Sequence, residues 1–346
     1  MSEIEKHYYE KFTVRYHISK IIQQIWPNQA YRDKLEQESD NNVEFFVRFV
    51  ALLLNDVTYV LDNSLTALTD IRRLQDELES SSSSFLTAEE KAEKEKSLVK
   101  AERDAASYTQ LGNETVAMLN LFTSAISDAF VQPEIVSRLA GMLDYNLEQM
   151  VGPKCQNLRV QNPEKYHFNP RALLSDILTV YLNLSSKPAF SHAIATDGRS
   201  YKPATFDRAI AVLSRHRLKS QADIDALSRL FGHVATLKLR EDEDELELGD
   251  PPDEFVDPLM ATLMSDPVVL PTSRITVDRQ TIKSHLLSDA TDPFNRAPLK
   301  IEDVVEDTQL KERIGKWIEE RREAVRAEKA RAAAGEGQAE KMDIDG

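Results

Sequence analysis

Residue types that carry covalent or metal chemistry are scarce in this chain. Its 346 residues include one cysteine, Cys155. A thiolate can serve as a nucleophile or a metal ligand, but no histidine is identifiable as its partner. A single thiol also excludes internal disulfides and multi-cysteine zinc sites. We therefore interpret Cys155 as a structural residue, and we predict neither a metal site nor a cofactor.

Nucleotide and nucleic-acid chemistry are also disfavoured. The ten glycines are scattered, and neither GxxxxGK[ST] nor GxGxxG occurs. Lysine and arginine total 43 against 58 aspartates and glutamates, which gives a net charge of -15 and disfavours phosphate backbones and anionic lipids. No apolar run reaches the ~20 residues of a membrane span, and the first residues do not resemble a secretory signal. We expect protein partners, no nucleic acid, no membrane, and a cytoplasmic and nuclear location.

Helical periodicity dominates the first two-thirds of the chain. Apolar residues recur at three- and four-residue steps from Ile18 to Trp26 and from Phe45 to Leu61, and the second run predicts a core helix. The serine run Ser80–Ser84 predicts a flexible loop before a solvated helix. We assign residues 1–240 to one helical domain.

The pattern changes after an acidic run, EDEDELE. We interpret residues 241–252, which end in Gly-Asp-Pro-Pro, as an extended linker. Two short β-prone runs, Val268–Leu270 and Ile275–Val277, then predict a hairpin, and Asp278 is placed to cap a following helix. We assign residues 253–322 to a small α+β domain and residues 323–346 to a disordered or fraying tail.

A domain of this size is often stabilised by disulfides or by a bound metal, and neither is expected here. Its stability must come from polar side chains that tie down loops and from a small apolar core. The predicted core residues are Leu263, Val268, Ile275, Ile282, Leu286, Leu299, Ile314 and Trp317.

The stretch PDEFVDPLMATLMSDPVVLPTSRITVDRQTIKSHL, followed by TDPFNRAPL and LKERIGKWI, resembles the U-box family over its whole length. The resemblance implies a RING-like cross-brace in which hydrogen bonds and ion pairs replace zinc. We expect several polar side chains to stabilise the loops, although sequence does not pair them. They are Asp266, Asp278, Arg279, His285, Asp292 and Asn295.

The same resemblance implies how the domain acts. Leu259 in the first loop and Pro298 in the second would receive a ubiquitin-conjugating enzyme. Arg296 would be the catalytic linchpin, holding enzyme and ubiquitin tail together without a covalent intermediate. Some family members have an aromatic residue at the position of Ala261. The alanine implies a smaller apolar surface for binding the conjugating enzyme. His285 is more often structural than a proton shuttle.

Upstream, FVRFVALLLNDVTYVLDNSL and RLAGMLDYNLEQMVGPKCQNLRV resemble the core of the ubiquitin fusion degradation chain-elongation factors. With the U-box, the resemblance covers about Tyr9 to Arg322. It implies a mainly α fold, with an armadillo-like helical core followed by a zinc-free U-box. It also implies a ubiquitin-ubiquitin ligase that extends chains on already ubiquitinated substrates for proteasomal degradation. The hexameric AAA segregase of protein quality control would be a further partner.

Two questions stay open at this level. Known family members are much longer, so the chain resembles their C-terminal part. The alternative to a ligase is a non-catalytic adaptor that tethers the segregase to ubiquitinated clients, an interpretation that Ala261 favours.

Overall fold

The computed structural model describes residues 3–80 and 86–342 and divides the chain into two compact units, Met1–Leu237 and Lys238–Gly346. Residues 81–85, which include most of the serine run predicted to form a loop, lie outside the described residues. Residues 343–346, the end of the predicted tail, also lie outside them. Each unit is described by itself below.

The first unit is built from α-helices that follow one another along the chain. Prolines occupy the first turn of several of them, where the missing N–H is not needed. The helices are α1 (Glu3–Ile25), α2 (Gln29–Asn41), α3 (Val43–Glu79), α4 (Ala88–Ala125), α5 (Ser127–Phe130), α6 (Pro133–Val151), α7 (Pro170–Leu184), α8 (Pro188–Ala195), α9 (Pro203–His216) and α10 (Gln221–Leu248).

The longest helices, α3 and α4, form the most extensive helix contact of this unit. The predicted core helix Phe45–Leu61 lies within α3, and most of its apolar residues are buried, although Phe45 is exposed. The predicted apolar stripe from Ile18 to Trp26 is mostly exposed along α1. Ile18, Ile21 and Ile25 are exposed, whereas Trp26, just after the helix, packs its ring edge-on against Phe122 of α4.

A buried acid lies among the aromatic residues of this core. Asp144 on α6 is 1% exposed, and its Oδ1 accepts a hydrogen bond from the Tyr181 hydroxyl at 2.5 Å. Its Oδ2 has no hydrogen-bond partner within the described residues. Burial raises the pKa of Asp144 well above its usual value, the Tyr181 hydroxyl opposes this shift, and the neighbouring Asp197 carboxylate reinforces it. The neutral form of Asp144 is therefore favoured more in the folded protein than in the unfolded chain.

Substituting Asp144 by asparagine is expected to stabilise the protein at neutral pH. Because the folded pKa is raised, the stability that Asp144 contributes is fully present below its unfolded pKa, about 3.9, and is lost as the pH rises through the folded pKa. Asparagine cannot ionise and still offers an oxygen to Tyr181. We expect a melting temperature at least about 2 °C higher at pH 7.5 and a smaller gain at pH 4.5, measured by calorimetry. An equal effect at both pH values, or a similar gain from the exposed Asp207→Asn, would contradict this.

The acidic run is helical, so the prediction of an extended linker over residues 241–252 is wrong for residues 241–248. Helix α10 continues to Leu248 because glutamate favours helix and Lys238 pairs with Asp242 one turn later at 2.9 Å. It ends at Gly249, whose φ of 68° is the left-handed conformation typical of a residue that follows a helix.

The second unit contains a three-stranded antiparallel sheet, two helices and two long loops. Strand β1 (Pro267–Val269) lies between β2 (Thr276–Asp278) and β3 (Val305–Glu306), with Val268 opposite Val277 and Glu306. Helix α11 (Arg279–Leu286) follows β2 directly, and Asp278 caps it through the N–H of Gln280 at 2.9 Å. Helix α12 spans Thr308–Met342.

Two apolar clusters hold this unit together. The first anchors the sheet, α11 and both loops, and it consists of Val268, Leu270, Val277, Ile282 and Leu299. The second anchors α12 and consists of Phe255, Met264, Leu310 and Ile314, with Trp317 packed against it.

The predicted fraying tail is also wrong for most of its length, because α12 continues through residue 342. Its alanines, glutamates, lysines and arginines are strong helix formers. The prediction of a mainly α fold followed by a small α+β domain is confirmed. Within the described residues, no helix combines the length and apolar character that crossing a membrane requires.

Candidate functional site

The first loop of the second unit, residues 257–262, is closed by backbone hydrogen bonds at its neck. Val256 and Leu263 form an antiparallel bridge at its base. The N–H of Asp257 donates to the carbonyl of Thr262, and the N–H of Ala261 donates to the carbonyl of Asp257, both at 2.8 Å. Ala261 has a φ of 57°, a left-handed conformation that only a tightly constrained loop imposes on alanine.

A buried carboxylate holds the inside of this loop. Asp257 is 0% exposed, and its Oδ1 accepts the N–H groups of Leu259 at 2.7 Å and Met260 at 3.1 Å. Its Oδ2 accepts the N–H of Asp278, the last residue of β2, at 2.7 Å. One side chain therefore satisfies three backbone donors and fastens the first loop to the sheet.

The second loop, residues 292–297, is closed at its base by the same pattern of backbone hydrogen bonds. Thr291 and Pro298 form its bridge. The N–H of Asp292 donates to the carbonyl of Ala297, and the N–H of Arg296 donates to the carbonyl of Asp292, both at 2.8 Å. Arg296 has a φ of 61°. Arg296 thus occupies the position in the second loop that alanine occupies in the first.

The carboxylate of Asp292 holds the inside of the second loop. Its Oδ1 accepts the N–H of Phe294 at 3.0 Å, and its Oδ2 accepts the Thr272 hydroxyl at 2.9 Å and the Ser273 N–H at 3.2 Å. Burial alone would raise the pKa of Asp292, but these hydrogen bonds outweigh burial and lower it. The charged form of Asp292 therefore joins the second loop to the β1–β2 turn.

The two loops are thus equivalent in sequence and in structure. Each begins with an Asp-Pro dipeptide, DPLMAT in one and DPFNRA in the other, and each buries its aspartate at 0% exposure. Each has its fifth residue in the left-handed conformation. The hydrogen-bonded aspartates occupy the role that metal ions have in zinc-stabilised loops.

Asp266 and Asp278, both predicted to stabilise the loops, join the sheet to its surroundings. Asp278 Oδ2 accepts the N–H groups of Ser265 at 2.7 Å and Asp266 at 3.0 Å. Asp266 accepts hydrogen bonds from Lys311 at 2.7 Å and from Arg279 at 2.6 Å. These two cations, Lys311 first, lower the pKa of Asp266, so the pairing persists at neutral pH.

His285 contacts the base of the second loop, and Asn295 lies within that loop. His285 Nε2 lies 2.9 Å from the carbonyl of Thr291, which can only accept, so Nε2 carries the proton. Asn295 donates to the Thr272 hydroxyl at 3.2 Å and accepts the N–H of Ala297 at 2.9 Å. The histidine therefore has a structural contact at the base of this loop.

The four residues predicted to act on a partner lie on these loops with different exposure. Ala261, Arg296 and Pro298 are exposed, whereas Leu259 is half-buried against the cluster that contains Leu299. The Arg296 guanidinium makes no hydrogen bond or ion pair within the part of the chain that the structure describes, so its donors are available.

Sequence reasoning missed three residues of this site. It did not identify Asp257, although the repeated Asp-Pro dipeptide would have paired it with Asp292. It also missed the exposed apolar side chains of Met260, 47% exposed, and Phe294, 38% exposed, which extend the apolar surface of the loops.

Cys155 lies far along the chain from these loops, in a half-buried position on a short 3-10 turn of the helical unit. Across residues 3–80 and 86–342, no group of three or more histidines, cysteines, aspartates and glutamates is arranged to hold a metal ion.

Comparison with known proteins identifies a family match for each unit. The family described as ubiquitin elongating factor core matches residues 2–235, and the U-box domain family matches residues 251–323. The ubiquitin conjugation factor E4 of Schizosaccharomyces pombe is 51% identical over 315 residues, which is 91% of this chain and 31% of the relative. The E4 ubiquitin-protein ligase UFD2 of Saccharomyces cerevisiae is 44% identical over 311 residues, or 89% of this chain and 32% of the relative.

A mammalian relative, the ubiquitin conjugation factor E4 A of Bos taurus, is 39% identical over 322 residues, 91% of this chain and 30% of its own length. The chain thus spans about a third of the length of the curated relatives it matches. Because the elongating factor core match covers more than half of the chain, and the metal-free double loop coincides with the U-box match, the chain belongs to the ubiquitin elongating factor family and carries a U-box.

Proposed function

We propose that this chain is a ubiquitin-ubiquitin ligase. Its U-box docks a conjugating enzyme charged with ubiquitin, and the chain promotes transfer of that ubiquitin to a substrate that already carries ubiquitin. The products are polyubiquitin chains that direct substrates to the proteasome. The names of the relatives, conjugation factor E4 and E4 ubiquitin-protein ligase, support this assignment.

The geometry of the two loops carries the proposal. Both are held rigid by buried aspartates, and both are anchored in one apolar cluster through Leu259 and Leu299. The first loop offers Met260 to solvent, and the second offers Phe294, Pro298 and the unpaired Arg296. An exposed apolar surface beside a free guanidinium is suited to bind a protein partner and to donate hydrogen bonds to it.

The proposed catalysis is positional. The Arg296 guanidinium would donate to the conjugating enzyme and to the ubiquitin tail at once, which restricts the thioester to a geometry that an acceptor lysine can attack. The acceptor amine attacks the thioester carbonyl, the C–S bond breaks as the isopeptide bond forms, and the cysteine of the conjugating enzyme leaves as its thiolate. The proton of the amine passes to solvent or to a base of the conjugating enzyme. Cys155 takes no part in this scheme.

Chain elongation in a reconstituted assay tests the proposal. With activating enzyme, conjugating enzyme and a substrate already fused to ubiquitin, the wild-type chain should produce long ubiquitin chains. Pro298→Ala removes an exposed apolar contact and should reduce elongation about fivefold to tenfold. Leu259→Ala is a less suitable probe because Leu259 also packs against the core.

Val305→Ala is the matched control, because Val305 is exposed (60%) and apolar but lies on β3 rather than on a loop. It should leave elongation unchanged. A wild-type chain that binds ubiquitinated substrate without elongating it would instead indicate the non-catalytic adaptor.

Two further proposals rest on the family resemblance rather than on geometry. The AAA segregase is proposed as a partner that delivers ubiquitinated clients, and the cytoplasm and nucleus are proposed as the sites of action. Binding of the purified segregase to this chain tests the first, and imaging of the tagged chain in cells tests the second.

A further inference from the structure

The C-terminal end of α10 is acidic. The run EDEDELE leads into its last turn, and that turn contains no basic residue. The partial negative charge at a helix C-terminus attracts cations and repels carboxylates, so this sequence by itself should destabilise the end of the helix. The helix nevertheless continues to Leu248. A cation from another element would stabilise this end.

Arg321 of α12 provides that cation. Its Nε donates a hydrogen bond to the carbonyl of Leu248, the last residue of α10, at 2.7 Å. The guanidinium also lies beside Gly249, because a Cβ atom at that position would be 2.5 Å from Arg321 Nη2. Glycine is therefore favoured at residue 249 both by the left-handed φ of 68° and by the guanidinium. Residues 238–248 of α10 and all of α12 belong to the second unit.

The segment between α10 and the first loop contacts the same side of α12. Trp317 packs edge-on against Phe255, with ring centroids 6.1 Å apart. The Arg313 guanidinium lies 5.5 Å from the centre of the Phe255 ring and pairs with Glu254. Arg313, Trp317 and Arg321 are spaced four residues apart, so they lie along one side of the helix. The segment is thus held to α12 at both of its ends.

We propose that Arg321 is a positioning residue for chain elongation, because it fixes the point at which α10 leaves the U-box. The inference rests on the proposed function and places the ubiquitinated substrate on the helical unit, which the chain joins to the U-box through α10. An acceptor lysine on such a substrate meets the thioester more often when the end of α10 is held to α12 than when it bends freely. Free lysine diffuses to the thioester and needs no such junction.

Two rates measured side by side on the full chain test the proposal: elongation on a ubiquitin-fused substrate, and transfer of ubiquitin from the charged conjugating enzyme to free lysine. We expect Arg321→Ala to lower elongation about threefold to tenfold, while transfer to free lysine stays within about twofold of the wild type. Arg321→Lys keeps a cation and a donor and should restore most of the elongation. Gly249→Ala should act like Arg321→Ala, because its Cβ displaces the guanidinium and strains the left-handed turn.

The neighbouring Arg322 provides the control, because it is also exposed and projects about 100° around the helix from Arg321. Arg322→Ala removes the same charge and should leave both rates unchanged. The positioning role is overturned if Arg321→Ala elongates like the wild type, if its transfer to free lysine falls as far as its elongation, or if Arg322→Ala loses as much elongation.

A distance measurement tests the junction even if the wild type does not elongate, a result that would refute the proposed function instead. In a Cys155→Ser background, spin labels attached at Asp244→Cys and Glu319→Cys report the spacing of α10 and α12 by pulsed electron paramagnetic resonance. Arg321→Ala should broaden the distance distribution at least about twofold, and Arg322→Ala should not. An unchanged distribution in the Arg321→Ala protein would overturn the proposal.

Discussion

Replacing Asp257 by alanine is expected to unfold the U-box while the helical unit keeps its structure. The Asp257 carboxylate accepts three backbone N–H groups, from Leu259, Met260 and Asp278, in a position with no solvent exposure. Alanine would leave those donors buried without acceptors. An unsatisfied buried donor costs about 1–3 kcal/mol, so we expect a loss of roughly 3–5 kcal/mol.

A loss of this size is comparable to the whole stability of so small a domain, about 3–5 kcal/mol. Tryptophan fluorescence can report it separately from the helical unit, because Trp317 packs against Phe255 and the chain has only one other tryptophan, Trp26. In a Trp26→Phe background, urea unfolding followed through Trp317 should shift to much lower urea in the Asp257→Ala protein. Helical circular dichroism from the first unit should remain.

Two further variants separate the effect of the Asp257 carboxylate from the effect of side-chain shape and from the effect of removing a surface charge. Asp257→Asn keeps one oxygen but places an NH2 group against a backbone donor, so it should also destabilise the U-box, by less than alanine does. Asp289→Ala removes an exposed aspartate whose carboxylate accepts the Thr291 hydroxyl, and it should shift stability by less than about 0.5 kcal/mol. Equal unfolding in the wild-type and Asp257→Ala proteins would refute the anchoring role.

The importance of Asp257 shows where sequence reasoning stopped. Composition excluded disulfides and multi-cysteine zinc, so the need for polar loop anchors could be inferred. Which donor each anchor accepts depends on how the chain returns to the sheet, and Asp257 and Asp278 are 21 positions apart in the sequence, so their contact cannot be inferred from it. The one indication in the sequence was that an Asp-Pro dipeptide begins each of two loops of equal length.

A helix boundary was predicted correctly where a capping residue marks it. Asp278 caps α11, as its position in the sequence predicted. Charged runs were misinterpreted, because a solvated linker and a solvated helix have the same composition. The difference lies in local propensity and in pairs such as Lys238 with Asp242, and the acidic run continues as helix until Gly249.

For the residues proposed to bind a partner, the sequence predicted the position correctly but not the exposure of every side chain. Sequence placed Leu259, Arg296 and Pro298 on loops and, by assigning them to a partner, implied that all three side chains face solvent. Leu259 is half-buried because the first loop turns it onto the core, whereas the equivalent position of the second loop, Phe294, remains 38% exposed. The two loops therefore share a backbone and differ in the side chains they offer to a partner.

Replacing Arg296 by alanine is expected to abolish most ubiquitin transfer without unfolding the U-box. The guanidinium is exposed and forms no bond within the described part of the chain, so its removal should change stability by less than about 0.5 kcal/mol. In the proposed function it provides donors that strengthen only when the thioester is held for attack. In a site that excludes water, loss of one such donor reduces rates about 100-fold to 1,000-fold, and a donor on an exposed loop should contribute less.

The measurement is discharge of ubiquitin from the charged conjugating enzyme to free lysine, which is independent of substrate binding. We expect Arg296→Ala to reduce the maximal discharge rate about 10-fold to 100-fold, with little change in the concentration of U-box chain needed for half-maximal rate. Arg296→Lys keeps the charge but lacks the planar donor fork, so it should recover only part of the rate.

Arg274 provides a control matched in residue type, exposure and backbone. It is also exposed and left-handed, with a φ of 62° against 61° for Arg296, but it lies in the β1–β2 turn instead of the second loop. Arg274→Ala should therefore leave discharge within about twofold of the wild type. If both alanine variants lose discharge equally, the effect is one of general charge or backbone strain. If neither loses it, Arg296 does not contact the transferring complex, and catalysis must depend on the apolar side chains of the two loops alone.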